Sequence, residues 1–289
     1  EDVPGRGLIQ VDDPELIQLA MPAKGENGLE IIEALRHESQ EMAKNWDGAL
    51  PQGIVIVPEV LDEQTFLQMV ETEKAIASDF IPIGLEFEEV HTISLPIPKL
   101  KHLLILTEKE QHKLVAVRHL LNMLWHVRKG QSVTLFDVTD EYGRFAGKVK
   151  QYYSSSELTE NVVEELKMRV LHARKQKEQL NEFVIISDLP AFMTVDGMTD
   201  NDFALLYEEG QRVGLHLIVV ANKTYMSLSS GIQRLIKQKL DTVLIAMKMS
   251  NQSVVARSEV GREAELAIDE VYLHYQDQQI KLKITKEIE

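Results

Sequence analysis

The sequence predicts an α/β protein with a mostly parallel β-sheet that carries helices on both faces. From His102 onward, short apolar segments alternate with longer segments of helical period, which is the pattern of right-handed β-α-β crossovers. The segments Phe183–Ser187 and Leu215–Val220 are dominated by apolar residues, as expected for strands that are buried on both faces. The 289 residues are enough for one large domain with an appended region.

The N-terminal part of the chain predicts several smaller elements before this alternation begins. Leu8–Ala20 alternates apolar and polar residues around a polar turn, which predicts a β-hairpin. After the polar joint Ala23–Gly28, the spacing of apolar residues in Leu29–Trp46 predicts a helix. The next predicted elements are a strand at Ile54–Val57, a helix at Asp62–Ala75 with Asp62 as its N-cap, and a hairpin formed by Ile81–Phe87 and His91–Ile97.

The main domain follows as an alternating series. Its predicted strands are His102–Leu106, Ser132–Val138, Phe183–Ser187, Leu215–Val220 and Thr242–Met247. Its predicted helices are Lys113–Val127, Leu158–Leu180, Asp200–Val213 and Leu228–Lys239, with a glycine turn at Gly143–Gly147. A hairpin at Val271–Ile284 ends the series.

The two terminal hairpins resemble each other and predict a modular organisation. If the hairpin at Val271–Ile284 closes the main domain, the one at Leu8–Ala20 closes an earlier copy of the same kind of domain. The alternative is a coincidence between two amphipathic hairpins. The resulting partition assigns residues 1–22 to a preceding module, 23–80 to an inter-module linker and 81–289 to the main domain.

Composition excludes several functional classes. The formal net charge is −15, whereas binding to nucleic acid needs a basic stripe that displaces counterions from phosphates. The chain has no cysteine, which excludes disulfides and thiolate metal sites and fits a cytosolic environment. No apolar run reaches about 18 residues, so no transmembrane helix is predicted.

A phosphate-binding loop is expected between the first strand and the first helix of the main domain, but its sequence is degenerate. A functional loop reads G-x-x-x-x-G-K-[ST] between a strand and a helix. Residues Thr107–Leu114 read T-E-K-E-Q-H-K-L instead. Aligned on Lys113, the two glycines are replaced by Thr107 and His112, and the magnesium-binding hydroxyl is replaced by Leu114.

Several landmarks together resemble the FtsK/SpoIIIE-type motor ATPases. The strand Val213–Val220 reads V-G-L-H-L-I-V-V, and an earlier strand reads F-V-I-I-S-D and ends at Asp188. The segments P-G-R-G-L-I, P-Q-G-I-V-I-V-P-E-V-L and I-P-I-G-L-E resemble the closing segment, linker and module entry of one branch, the EssC/EccC coupling ATPases of type VII secretion. The resemblance covers almost the whole chain and implies a RecA-like P-loop NTPase fold.

The resemblance also assigns family roles to particular residues and shows where they are lost. Lys113 occupies the phosphate-binding position, Asp188 occupies the magnesium-facing position, and Ala221-Asn222 stands where the family carries a γ-phosphate sensor. Leu189 replaces the second acid, which polarises the attacking water in the family. The family uses ATP and magnesium, but here we expect no catalytic residue, no metal site and no cofactor. The vestigial nucleotide-site positions are Thr107, His112, Lys113, Leu114 and Asp188.

Physical reasoning from the residues also argues against ATP hydrolysis. If the loop kept its usual conformation, Thr107 and His112 would adopt positive φ angles, at a cost of about 1–2 kcal/mol each. Glu108 and Glu110 would repel a triphosphate, by about 3 kcal/mol per charge pair at 5 Å and an effective dielectric of about 20. Hydrolysis needs a bound magnesium ion and a positioned water, and Leu114 and Leu189 each remove one of the groups involved.

Other candidate residues are better explained by structural roles. His112, His119 and His126 recur every seven residues, which is too far apart along a helix for two of them to share a metal ion and predicts a solvated or interface stripe. Asp137 and Asp140 flank a strand end, either near a ligand or as ordinary loop acids. Lys223-Thr224 has no glycine scaffold for phosphate, and Trp46 and Trp125 are expected in the core.

Three functional hypotheses follow from these observations. The first is a non-enzymatic module of a membrane-anchored secretion ATPase, in the cytoplasm of a bacterium, which binds WXG-type helical-hairpin substrates and neighbouring ATPase modules of the same chain. The resemblance also implies a possible hexamer. The second is an active ATPase whose site is completed in trans by a neighbour, and the third is a DNA translocase, which the acidic charge disfavours.

Overall fold

The computed structural model describes residues 5–9, 15–48, 55–128, 132–229, 231–256 and 263–287. The chain divides into two compact units, Glu1–Ile54 and Val55–Glu289. Within the described ranges, no helix is long and apolar enough to cross a membrane. The partition at residues 22 and 80 remains a prediction about modular organisation.

The first unit consists of a hairpin and a helix. Strands β1 (Arg6–Ile9) and β2 (Glu15–Gln18) pair antiparallel, in agreement with the predicted hairpin, and the turn between them falls outside the described residues. Helix α1 spans Gly28–Lys44, where Asn27 caps the N-terminus by accepting hydrogen bonds from the backbone of Leu29 and Glu30. The expected core position of Trp46 is wrong, because 59% of this residue is exposed.

The second unit contains ten strands and eight helices among the described residues. The strands are β3 (Phe80–Glu86), β4 (Thr92–Pro96), β5 (Leu103–Thr107), β6 (Val133–Asp137), β7 (Gln151–Ser154), β8 (Glu182–Ile186), β9 (Leu215–Asn222), β10 (Thr242–Ala246), β11 (Glu270–Tyr275) and β12 (Gln278–Lys283). The helices are α2 (Glu63–Leu67), α3 (Val70–Ala77), α4 (Glu110–Arg128), α5 (Glu160–Gln176), α6 (Leu189–Phe192), α7 (Asp200–Arg212), α8 (Lys223–Ser227) and α9 (Gly231–Lys239).

The ten strands form one sheet in the order β4-β3-β12-β11-β10-β5-β9-β8-β6-β7. The six strands from β10 to β7 are parallel to one another. Each of the four strands from β11 to β4 runs antiparallel to its neighbour in the sheet. When β5, β6, β8, β9 and β10 are numbered one to five in chain order, their spatial order is 5-1-4-3-2. The predicted α/β fold with a mostly parallel sheet is therefore confirmed.

Two apolar layers cover the two faces of this sheet. Successive residues of β5 point to opposite faces, so Leu103 and Ile105 join one core cluster while Leu104 and Leu106 join the other. The first cluster includes the inner face of α4, and the second includes inner faces of α5, α7 and α9. This double coverage explains why the parallel strands are rich in apolar residues on both faces.

Several predicted elements differ from the observed ones. Asp62 does cap a helix by accepting from the backbone N–H of Thr65 at 2.9 Å, but the predicted helix is divided into α2 and α3. The strand predicted at Ile54–Val57 is wrong over Val55–Val57, where the described chain is irregular, and Ile54 lies outside the described residues. The edge strand β7 and the one-turn helix α6 were not predicted, because both are too short to give a periodic signal.

Candidate functional site

The connection between β5 and α4 is short and leads directly into the helix. Only Glu108 and Lys109 separate the strand from the helix, which begins at Glu110 rather than at Lys113 as predicted. The backbone N–H of Lys113 already donates to the carbonyl oxygen of Lys109 at 3.2 Å. A phosphate cradle needs backbone N–H groups that point into an open loop, and here the Lys113 N–H is used inside the helix.

The backbone strain expected at the two former glycine positions is absent. Thr107 belongs to β5 and pairs with Ala246 and Asn222 on the two neighbouring strands, whereas His112 lies in the first turn of α4. Neither residue has a positive φ angle, so the expectation of strain was wrong. The sequence avoids the strain because it replaces the loop by strand and helix.

Lys113 is held by carboxylates of the protein itself. Its side chain is only 7% exposed, and its ammonium forms ion pairs with Glu110 and, at 2.9 Å, with Glu141. Burial acts to lower the pKa of Lys113, but the hydrogen bonds to both carboxylates outweigh it and raise the pKa above its ordinary value. The cation that binds phosphate in the family is therefore already neutralised.

Asp137 fixes the loop that supplies Glu141. It is fully buried at the end of β6, and its carboxylate accepts hydrogen bonds from the backbone N–H groups of Glu141 at 3.1 Å and Tyr142 at 2.7 Å. The hydroxyl of Tyr152 donates a third at 2.8 Å. Asp140 lies on the surface and accepts from the backbone N–H of Ser155 at 2.8 Å. Both acids thus hold loops in place.

The space beside His112 is closed. His112 is buried, and its Nε2 lies 3.5 Å from the carbonyl oxygen of Leu266. The cavity that remains between the start of α4, the end of β10 and residues Glu265 and Leu266 is about 10 Å³. That volume is at or below the minimum for one water molecule, and far below that of a nucleotide.

The two glutamates expected to repel a triphosphate are engaged elsewhere. Glu108 forms an ion pair with Lys223 and accepts from Asn251 Nδ2 at 2.9 Å, which explains the role of Lys223. Glu110 pairs with Lys113. Both glutamates are therefore paired with cations of the protein itself.

The remaining family positions also have structural roles. Asp188 caps α6 by accepting from the backbone N–H of Ala191 at 2.9 Å, and Leu189 is fully buried beside it. Leu114 packs against the first core cluster. Asn222 caps α8 by accepting from the backbone N–H of Tyr225 at 2.8 Å. Among the described residues, no group of three or more His, Asp or Glu side chains is arranged to hold a metal ion.

A separate cleft lies along α4. Its volume is about 690 Å³, and the helix contributes Val115, Arg118, His119 and Asn122 to one wall. The rest is formed by Val60 and Asp62 before α2, by Glu63 at its start, and by Ile268 and residues 285–287. This cleft combines apolar side chains with charged ones, a composition suited to a peptide segment.

Histidines of α4 organise the cleft wall rather than forming a solvated stripe. His119 is buried, and its Nδ1 lies 2.7 Å from the hydroxyl of Thr285. Burial lowers the pKa of His119 to about 4, so the ring is neutral near pH 7. His126 Nε2 and Asn122 Nδ2 contact the carboxylate of Glu63 at 2.8 and 2.6 Å, which ties α2 to α4.

Acidification is expected to weaken the ion pair between Lys113 and Glu141. Burial acts to raise the pKa of Glu141, but hydrogen bonds from Lys113 and Thr139 hold it below its ordinary value. Such a carboxylate stabilises the fold above its unfolded pKa, about 4.3, and the stabilisation is lost as the pH falls through the folded pKa. Between about pH 5 and 3, urea denaturation should show a smaller loss of stability for Glu141→Gln than for the wild type.

The exposed variant Glu73→Gln provides the control for a glutamate-to-glutamine change away from Lys113. Identical pH profiles for Glu141→Gln and the wild type would contradict the prediction.

Comparison with known proteins identifies the family. No protein-family profile matches the chain. The type VII secretion system protein EssC of Staphylococcus aureus (strain MRSA252) is 27% identical over 291 residues, which cover 98% of this chain and 19% of EssC. The ESX secretion system protein EccC of Geobacillus thermodenitrificans (strain NG80-2) is 24% identical over 286 residues, covering 92% of this chain and 19% of EccC. The chain is homologous to the EssC/EccC ATPases of type VII secretion.

Solved structures of EssC and EccC have the same fold. EssC (ATPases 2 and 3) from Geobacillus thermodenitrificans aligns with a TM-score of 0.72 at 21% identity, covering 99% of this chain and 56% of that one. Thermomonospora curvata EccC (ATPases 2 and 3), in complex with a signal sequence peptide, gives 0.67 at 17% identity, covering 100% and 54%. The predicted family is confirmed, and the FtsK/SpoIIIE resemblance is consistent with it. The chain spans about a fifth of the curated EssC/EccC relatives.

Proposed function

We propose that this chain is a non-hydrolysing ATPase-fold module of a type VII secretion protein, which acts in protein export by docking partners. The observation that carries the proposal is the neutralisation of Lys113 by Glu110 and Glu141. A nucleotide phosphate would have to displace two carboxylates that are covalently part of the protein and are already in place. Such intramolecular partners have a high effective concentration, which disfavours replacement by a free ligand.

The other requirements of ATP hydrolysis are also missing around this lysine. The cavity beside His112 is too small for a phosphate. Leu114 offers no hydroxyl to magnesium, and Leu189 offers no carboxylate to a water. Because each loss has a well-packed structural replacement, the closed site is a stable alternative to a nucleotide site.

For the docking role, we propose the cleft along α4 as the surface that receives a secreted substrate. An amphipathic helix docks through an apolar face and is oriented by charges at the rim. Val115 and Ile268 supply apolar surface here, and Arg118 supplies a charge. The signal sequence peptide bound by Thermomonospora curvata EccC supports a peptide as the ligand class. WXG-type helical hairpins are the proposed substrates.

The setting of the module is part of the same proposal. The relatives are about five times as long as this chain, and the solved EssC and EccC structures contain two ATPases. We therefore propose neighbouring ATPase modules of the same chain as partners, a hexamer as the assembly, and a location on the cytoplasmic side of a bacterial membrane protein. Nucleic acid is not a proposed partner, since the net charge is −15.

Titration calorimetry with ATP and magnesium tests the first half of the proposal. We expect no binding heat up to about 1 mM ATP, which corresponds to a binding free energy weaker than about −4 kcal/mol. Lys113→Ala should give the same flat trace, because the lysine does not reach a nucleotide. Micromolar binding that disappears in Lys113→Ala would instead support an active ATPase motor, in which case a neighbouring module could complete the site.

Binding of a C-terminal signal peptide from a WXG-type substrate tests the docking role. Fluorescence anisotropy should give saturable binding, and Ile268→Asp should weaken it by about 10-fold or more, because a charge enters the apolar part of the cleft. Met168→Asp on α5 is the matched control, since Met168 is an exposed apolar residue outside this cleft. Equal weakening by both variants, or unchanged binding to Ile268→Asp, would contradict the assignment of the cleft.

A further inference from the structure

We infer that Arg118, in the wall of the cleft along α4, binds a carboxylate of the docked peptide and thereby determines which peptides the cleft accepts. The inference rests on the proposed docking function and deepens it, because it names the chemical group by which the cleft recognises its ligand.

The guanidinium of Arg118 has hydrogen-bonding capacity that the protein does not use. Its side chain is 36% exposed and lines the cleft. Its Nε is buried and has no hydrogen-bond partner in the part of the chain that the structure describes. An arginine carries five N–H donors in a fixed fork, and a buried donor without an acceptor costs free energy. A ligand that brings acceptor oxygens to this guanidinium would therefore be favoured.

The nearest acid does not satisfy Arg118. The distance from Arg118 Nη1 to Glu287 Oε2 is 4.0 Å, which is longer than a hydrogen bond. The same oxygen accepts a hydrogen bond from Arg144 Nη1 at 2.5 Å. Because Arg144 holds the carboxylate of Glu287, Arg118 remains available to a second carboxylate.

Other charged groups of the cleft are engaged elsewhere. Asp62 caps α2, and Glu63 is tied to α4 by the contacts described above. The ammonium of Lys286 lies 3.4 Å from the carboxylate of the buried Asp269. Arg118 is therefore the cation of this cleft that is best placed to bind an anionic ligand.

The acids of the cleft favour a carboxylate over a phosphate. A phosphate monoester carries about −1.5 to −2 charges at pH 7, and it would be repelled by Asp62, Glu63 and Glu287 in the same cleft. A carboxylate carries one charge, and its geometry matches the planar fork of arginine. The carboxylate could come from an Asp or Glu side chain of the peptide or from its C-terminus, and the experiment separates these two sources.

The first experiment changes the peptide and leaves the protein as it is. Fluorescence anisotropy compares three forms of one N-terminally labelled C-terminal signal peptide from a WXG-type substrate. One form is unmodified, one has every Asp and Glu replaced by Asn and Gln, and one has an amidated C-terminus. We expect one of the two altered forms to bind about 10-fold more weakly, since it loses a charge-assisted hydrogen bond. The form that loses affinity identifies the source of the carboxylate.

The second experiment assigns that loss to Arg118. The variant Arg118→Gln should bind the unmodified peptide about 10-fold more weakly than the wild type does. It should also bind the unmodified and altered forms equally, because the partner of the carboxylate is gone. The matched control is Arg174→Gln on α5, since Arg174 pairs with Glu209 at 2.9 Å outside the cleft and its loss should leave peptide binding unchanged.

Equal affinity of the wild type for all three peptides would overturn the inference and leave the docking role in place. The same loss on removal of the carboxylate in the wild type and in Arg118→Gln would also overturn it, because another residue would then bind the carboxylate. Absence of saturable binding by the unmodified peptide would remove the docking role and the inference together. The peptide comparison needs no protein variant, so it decides the question even if Arg118→Gln does not fold.

Discussion

Replacing Lys113 with alanine is expected to destabilise the domain by about 2 kcal/mol and to leave nucleotide binding unchanged. In a functional phosphate-binding loop the same substitution removes ligand binding. Here it leaves Glu110 and Glu141 facing each other without a cation. The expected loss is smaller than the 3–5 kcal/mol typical of a fully buried pair, because Glu110 is largely exposed and solvent screens its charge.

Thermal and urea unfolding measure this effect. A loss of about 2 kcal/mol lowers the Tm of a domain of this size by about 5 °C. Lys109→Ala is the matched control, because it removes a neighbouring lysine that is exposed and whose ion pair with Glu265 is long, at 3.9 Å. We therefore expect a change in the free energy of unfolding within about 0.5 kcal/mol. A Lys113→Ala variant as stable as Lys109→Ala would refute the structural role of the lysine.

A multiple variant separates charge from packing at the same site. Lys113→Met keeps the apolar stem of the side chain, and Glu110→Gln with Glu141→Gln removes the two charges left behind. If the site around Lys113 depends on charge balance, the triple variant should lose less stability than the sum of the losses of the three single variants. The reason is that the triple variant leaves no unpaired charge. Additive losses would show that Lys113 and the two glutamates contribute to stability independently of one another, which would contradict the charge-balance explanation.

The sequence predicts the architecture well where the signal is local. The sequence predicts β5, β8, β9 and β10 because each is an apolar run bounded by polar turns. All four strands are buried in the central sheet. Element order then fixes the parallel sheet, since crossovers between such strands are right-handed. The family follows from the order of several motifs rather than from any one of them.

The start of α4 is where local reasoning fails. Alignment on Lys113 assumes that the degenerate segment keeps the loop of its functional relatives. Instead the helix begins at Glu110, because His112 stands where the second glycine would be and histidine favours helix more than glycine does, and because Glu, Gln and Lys are good helix formers. The expected strain at His112 therefore never arises.

The sequence could not predict side-chain contacts between residues that are far apart along the chain. Glu141 reaches Lys113 from the loop after β6, and Thr285 reaches His119 from the end of the C-terminal hairpin. No periodicity links these residues, so the sequence indicated a solvated or interface histidine stripe, and the burial of His119 rules out only the solvated alternative at that position. The cleft along α4 was not located for the same reason, because its walls come from four separate segments.

Asp137→Ala is expected to have the largest effect of the substitutions considered, a loss of about 3–4 kcal/mol in the free energy of unfolding. The fully buried carboxylate accepts hydrogen bonds from the backbone of Glu141 and Tyr142 and from the hydroxyl of Tyr152. Its removal leaves three donors without an acceptor. Each unsatisfied buried group costs about 1–3 kcal/mol, and partial access of water to the loop reduces the sum.

Asp140→Asn is the matched control, because Asp140 lies on the surface of the same loop and asparagine tolerates its positive φ of 57°, and we expect a far smaller loss than for Asp137→Ala. Asp137 also positions Glu141, which pairs with Lys113, so the double variant Asp137→Ala with Lys113→Ala should lose less than the sum of the single losses, by about 1 kcal/mol. Additivity would mean that the β6 loop and the first turn of α4 are energetically independent. A coupling of the expected size would establish that Asp137, at the end of β6, helps to hold Lys113 in its ion pair with Glu141.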